Sequence, residues 1–118
     1  MASTFSDLGI ELMATGENAG TWGDKTNSNL NLIQQAVAGY EAISIAGGAQ
    51  TTALAMTDAT ISQARNQVIK FTGTITGNQV VTIPNSIEKS YIIINGTSGS
   101  FTVQFKTVSG TGYTFAAT

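Results

Sequence analysis

Residues 8–14 alternate in character. Leu8, Ile10, Leu12 and Ala14 fall on one side, Gly9, Glu11 and Met13 on the other. A period of two predicts a strand with one buried face, a short helix being the alternative. Over 26–40 the period lengthens. Leu30, Ile33, Val37 and Tyr40 stand at i, i+3, i+7 and i+10, one stripe of a helix. Thr26, Asn27 and Ser28 are competent N-caps, and Gly39 offers a left-handed residue to close the far end. The pattern therefore predicts a helix over about 27–39, with Asn31, Gln34 and Gln35 on its outer face in place of charges.

Beyond residue 41 short apolar-polar alternations are separated by turn signals at Gly47-Gly48, Gly77-Asn78, Pro84-Asn85, Asn95-Gly96 and Gly110. They predict strands over 42–45, 52–56, 68–74, 79–83, 90–94, 100–107 and 112–115. A capped helical turn is expected within 57–66, starting from Thr57 or Asp58. Gly77-Asn78 fits a two-residue hairpin. Phe101, Val103 and Phe105 make one face of a half-buried strand. "YIII", Tyr91 through Ile93 to Ile94, is apolar on both sides, which fits a central strand or one covered by a partner. No repeat of fixed period is visible. The fold expected is α+β, mainly β: an N-terminal strand and amphipathic helix, then an antiparallel β-sandwich. Residues 1–41 form the N-terminal segment and 42–118 the β-rich part, packed as one domain or as two units.

Composition narrows the function. The 118 residues contain no Cys and no His, so thiolate metal sites, disulfides and the usual general base are excluded. Only 10% of residues are charged, with a net of −2. The five cations (Lys25, Arg65, Lys70, Lys89, Lys106) are scattered and make no stripe for phosphates, so nucleic acid is not an expected partner. No apolar run approaches a membrane span, and the N-terminus lacks the form of a signal peptide. Threonine occurs 18 times, much of it in alternation with apolar residues. Thr, Ser, Asn and Gly must cover the surface. The chain is either an ordinary low-charge β domain or a subunit whose flanks neighbours cover.

The glycine-rich stretch "GENAGTWGDKTN", 16–27, invites comparison with a phosphate loop. It fails: Asp24 precedes Lys25-Thr26 where glycine is needed, and Ala19 stands at the other glycine position. The spacing of Gly16, Gly20 and Gly23 misses the dinucleotide fingerprint. The stretch reads instead as a turn-forming connector. Trp22 is then a core plug or an anchor in a partner's pocket, and Lys25 pairs with Glu17 or Asp24. The acids Asp7, Glu11, Glu17, Asp24, Glu41, Asp58 and Glu88 show no close pair. Asn95-Gly96-Thr97 matches a glycosylation acceptor but also a plain turn. Tyr40, Tyr91 and Tyr113 can stack on sugars or sit half buried. No catalytic, cofactor or metal site is expected, and the chain does not read as an enzyme.

The segment "ELMATGENAGTWGDKTNSNLNLIQQAVAGYEAISI" resembles the opening of virion proteins of bacteriophages, especially tail-fibre-type proteins of marine phages. The shared features are an acidic-apolar strand, G-E-x-x-G-T-W-G-x-x-T-N-x-N, and an amphipathic helix. The β-rich remainder resembles the same proteins less specifically. The resemblance implies a virion location and a non-enzymatic structural protein, the proximal fibre module that anchors to the tail and supports host attachment. It implies a homotrimer that contacts other virion proteins, with no cofactor. Interface candidates are Trp22, Leu30, Ile33, Val37 and Tyr40 of the helix region and Tyr91 and Ile93 of the "YIII" strand. A head decoration or capsid-bound fibre is the alternative site of the same work. A carbohydrate-binding module using Tyr91, Tyr113 or Trp22 is the alternative of another class.

Overall fold

The computed structural model describes residues 4–87 and 89–117. β1 (Thr4–Phe5) and β2 (Glu11–Leu12) form a minimal antiparallel pair. α1 (Trp22–Ala38) follows and leads straight into β3 (Tyr40–Ser44). The remaining strands are β4 (Gln50–Ala53), β5 (Val68–Thr72), β6 (Gln79–Ile83), β7 (Ile92–Asn95), β8 (Val103–Thr107) and β9 (Tyr113–Phe115). Mainly β with one long helix, as expected, the chain departs from the expected antiparallel sandwich in how its strands pair. One sheet runs β3-β5-β7, all parallel; the other runs β4-β6-β8, also parallel, with β9 antiparallel on its edge.

Each rung is thus a strand in the first sheet, a corner, and a strand in the second. Three rungs stack: β3–β4, β5–β6 and β7–β8. From the second rung to the third the register is constant, Val68 on Ile92 and Gln79 on Val103, an offset of 24 residues in both sheets. The corners keep it. Thr74 Oγ1 meets Ser98 Oγ at 3.2 Å, Thr102 N–H donates to Asn78 Oδ1 at 3.0 Å, and Asn85 and Ser109 exchange two hydrogen bonds. From the first rung to the second the offset is 28 in one sheet, Tyr40 on Val68, and 29 in the other, Gln50 on Gln79. Side-chain hydroxyls and amides thereby satisfy the corners, one reason a chain with so few charges is rich in Thr, Ser and Asn.

The repeat is invisible in the sequence because stacking asks only for alternation. Of the residue pairs in register between rungs two and three, Ile69 with Ile93 is the one identity; Phe71 faces Asn95 and Gln79 faces Val103. The Gly77-Asn78 hairpin is corrected for a similar reason. Gly73, at φ 104°, bends the chain after Thr72, so β5 stops there and β6 starts in the opposite sheet. A two-residue hairpin joins antiparallel neighbours of one sheet, and β5 and β6 belong to different sheets.

The core lies between the sheets. Ile43, Ile69 and Phe71 point in from one side, Val81, Ile83 and Val103 from the other. Phe71 and Phe105 meet across it with centroids 6.0 Å apart, and Tyr91 packs edge-on to Phe105 at 5.5 Å. Phe101, Val103 and Phe105 share the inward face as expected. "YIII" is corrected from a central strand to an edge: β7 exposes Ile92 and Ile94 and turns Ile93 inward.

The molecule measures 55 × 24 × 21 Å. Seventeen helical residues span about 25 Å at 1.5 Å each.

Candidate functional site

The alternation of 8–14 resolves in the opposite sense to the expected one. Glu11 is buried and Leu12 is 53% exposed. The acid goes inward because partners meet it there. Asn18 Nδ2 donates to Glu11 Oε2 at 3.0 Å, and Lys25 Nζ lies 3.7 Å from Glu11 Oε1. Asn29, on α1, grips the same residue's backbone from both sides: it accepts from Glu11 N at 3.0 Å and donates to Glu11 O at 2.9 Å. Lys25 therefore pairs with Glu11, not with Glu17 or Asp24. The distinctive stretch from Glu11 to Asn29 is a clip that fastens β2 to the helix.

The helix begins earlier than expected, at Trp22. Thr26, Asn27 and Ser28 lie within it, and Thr21 is the N-cap. Half of the presumed connector is thus helical. Trp22 is 64% exposed, so the core-plug expectation is overturned. Gly39 is extended at φ −68°, not left-handed. Glycine is required there because a Cβ would collide with the Gln35 carbonyl and Asn66 Oδ1.

The face of α1 that packs on the body is Leu32 and Ala36. The apolar stripe lies on a different face. Leu30, Ile33 and Val37 are 58%, 45% and 69% exposed, and with Trp22 they occupy an arc of about 80°. Tyr40 leaves the stripe, since the helix ends at Ala38 and Tyr40 opens β3.

Arg65 was missed as a key residue. It sits in a 3-10 turn, Gln63–Arg65, whose N-cap is Ser62, not the expected Thr57 or Asp58, and its side chain is fully buried. Its guanidinium donates to Leu8 O at 2.7 Å, to Thr57 O at 2.6 Å, to Thr60 O, and to Gln35 Oε1 at 3.4 Å. One side chain thus joins the N-terminal segment, the 57–62 loop and the helix. Burial lowers its pKa, with Asp58 pulling the other way. Gly9 is tied to this hub: it is left-handed at φ 74°, and a Cβ there would strike the guanidinium.

Tyr91 is a half-buried strut. Its hydroxyl donates to Ala64 O, its ring packs on Phe105, and Lys89 Nζ lies 3.8 Å from the ring centroid. Burial raises the Tyr91 pKa to about 12 and lowers that of Lys89 to about 8. Tyr113 is exposed on β9 and stacks edge-on with Phe115. Glu88 lies outside the described residues.

A shallow groove of about 300 Å³ runs beside the C-terminal half of α1. Its lining combines the amides Asn31, Gln34, Gln35 and Asn66 with Ala38, Gly39, Tyr40 and Ile61. Among the described residues no cluster of three metal-ligating side chains occurs, and no helix is long and apolar enough to cross a membrane. Comparisons with protein-family models, with curated proteins and with solved structures find no match.

Proposed function

We propose that this chain is a structural module of a bacteriophage virion, the proximal part of a tail fibre, which assembles as a homotrimer and attaches the fibre through protein-protein contacts. The observation that carries the reading is the exposed stripe of α1. Thr26, Leu30, Ile33 and Val37 follow the 4-3-4 spacing of a coiled-coil seam, with Leu30 and Val37 at a and Thr26 and Ile33 at d. Leu at a with Ile at d favours three or four strands over two. The flanking e positions are Asn27 and Gln34, uncharged, so identical copies meet without repulsion. With Trp22, the stripe offers on the order of 400 Å² of apolar side chain, about half of one partner's share of a specific interface. Flanking polar contacts supply the rest. The motif resemblance of residues 11–45 supplies the virion context, and the lack of Cys, His and a basic stripe fits work done by contact.

Trp22 is the sole tryptophan, so its fluorescence reports the assembly. Sedimentation should give a trimer, with Trp22 emission moving to shorter wavelength as concentration rises. Ile33→Asp should give a monomer of unchanged circular dichroism. A wild-type chain that stays monomeric at its highest soluble concentration sinks the trimer. Antibody labelling of phage particles tests the location: label at the tail is expected, and label confined to the capsid would favour a head fibre instead.

A further inference from the structure

The groove beside α1 is centred on another flank of the helix from the stripe; of its lining, only Gln34, at an e position beside the seam, also enters the assembly argument. We infer that it is a binding site for a neutral saccharide, with Tyr40 as the stacking face and Asn31 and Gln34 as the hydrogen-bonding pair.

The floor is built and fixed. Gln35 Nε2 donates to Ser62 O at 3.0 Å and to Asn66 Oδ1 at 3.3 Å, and its Oε1 accepts from Arg65. Asn66 Nδ2 donates to Glu41 Oε1 and to Gln63 O, both at 3.1 Å. Gly39 lets the chain pass this close, since a Cβ would occupy the space of Asn66 Oδ1. The floor is therefore held by the same hub that organises the N-terminal half.

The open capacity sits above that floor. Among the described residues Asn31 and Gln34 make no side-chain hydrogen bond. Each carries two donors and an acceptor, a set that matches adjacent sugar hydroxyls, which also both donate and accept. Tyr40 is 58% exposed and presents a ring to the same space, and the negative face of an aromatic ring attracts the polarised C–H face of a pyranose.

The lining also excludes alternatives. It contains no cation to hold phosphate or carboxylate and no carboxylate to hold a metal. Its apolar part is one ring, Ile61 and Ala38, too little to take the alternating side chains of a peptide. A volume of about 300 Å³ suits one or two sugar rings. An open site without charge predicts weak binding, in the millimolar range.

The test is a titration of the ¹⁵N-labelled full chain with cellobiose, maltose, mannobiose and chitobiose, read on side-chain amide resonances. At least one sugar should shift the Asn31 and Gln34 amides with a saturating curve. Tyr40→Ala should weaken that binding at least about tenfold, while Tyr40→Phe, which keeps the ring, should retain it. Shifts that survive Tyr40→Ala, or that centre on Trp22 or Tyr113, overturn the assignment. So does the absence of any shift at about 50 mM of all four sugars, far above the dissociation constant expected. Repeating the titration on Ile33→Asp separates this inference from the trimer: binding should persist in the monomer.

Discussion

Single residues hold the N-terminal half together, and Arg65 is the foremost. Removing its guanidinium leaves the Leu8 carbonyl without a donor and takes one of two donors from Thr57 O, which keeps Thr60 N–H, and from Thr60 O, which keeps Ser62 Oγ. An orphaned carbonyl costs about 1–3 kcal/mol, and the lost charged donors at the other two add to it. Arg65→Met should therefore lower the melting temperature by about 10 °C and raise proteolysis around residues 6–10 first. A melt within about 2 °C of wild type would show that the hub is dispensable. Lys89 and Tyr91 shape the alkaline pH response. Lys89 falls from 10.5 to about 8 on folding, so the unfolded chain binds more protons between those values. Its contribution to stability rises with pH across that window and is lost as pH falls towards 8. Tyr91 rises from 10.0 to about 12, so its support is present below pH 10 and fades as pH rises through 12. Urea titrations in a pH series should find greatest stability near pH 10. Lys89→Met should flatten the alkaline rise, and an unchanged profile in that variant would remove Lys89 as its source.

At the level of elements, adjacent helix residues have opposite duties. Leu32 is buried against the body and Ile33 faces out. Leu32→Ala should destabilise the fold by about 2–4 kcal/mol, whereas Ile33→Ala should stay within about 1 kcal/mol of wild type in a denaturant titration of the monomer. Equal losses would mean that the stripe and the packed face have been misassigned. The corners supply a second case. Gly99 turns at φ 119°, and a Cβ there would run into the Ile75 carbonyl of the rung above. Gly99→Ala should cost more than about 2 kcal/mol, seen as loss of hydrogen-exchange protection at Ile75 N–H, which donates to Ser98 O.

Across the whole molecule, stability should grade along the stack. β5, β6 and β8 are paired on both sides, β5 and β6 between parallel neighbours, whereas β3, β4, β7 and β9 are edges. Amides of β5 and β6 should exchange slowest and those of β1 and β2 fastest. Slowest exchange in β7 would signal that a partner or another copy covers that edge. Such an edge with exposed Ile92 and Ile94 invites pairing.

What the sequence determined by itself was local. The existence of the helix, the places of most strands and the inward face of Phe101, Val103 and Phe105 all follow from periodicity, which acts within a few residues. Three things waited for the tertiary structure. Strand direction did, because alternation is the same in parallel and antiparallel sheets, and only the corners decide which neighbour a strand meets. The burial of Glu11 over Leu12 did, because an acid goes inward only when Asn18, Lys25 and Asn29 converge on it. The outward turn of Trp22, Leu30, Ile33 and Val37 did as well, because a helix with apolar residues on two faces can pack either one, and contact with Arg65's surroundings selects Leu32 and Ala36. Pattern limits which side chains can share a face; which face is covered depends on residues distant along the chain.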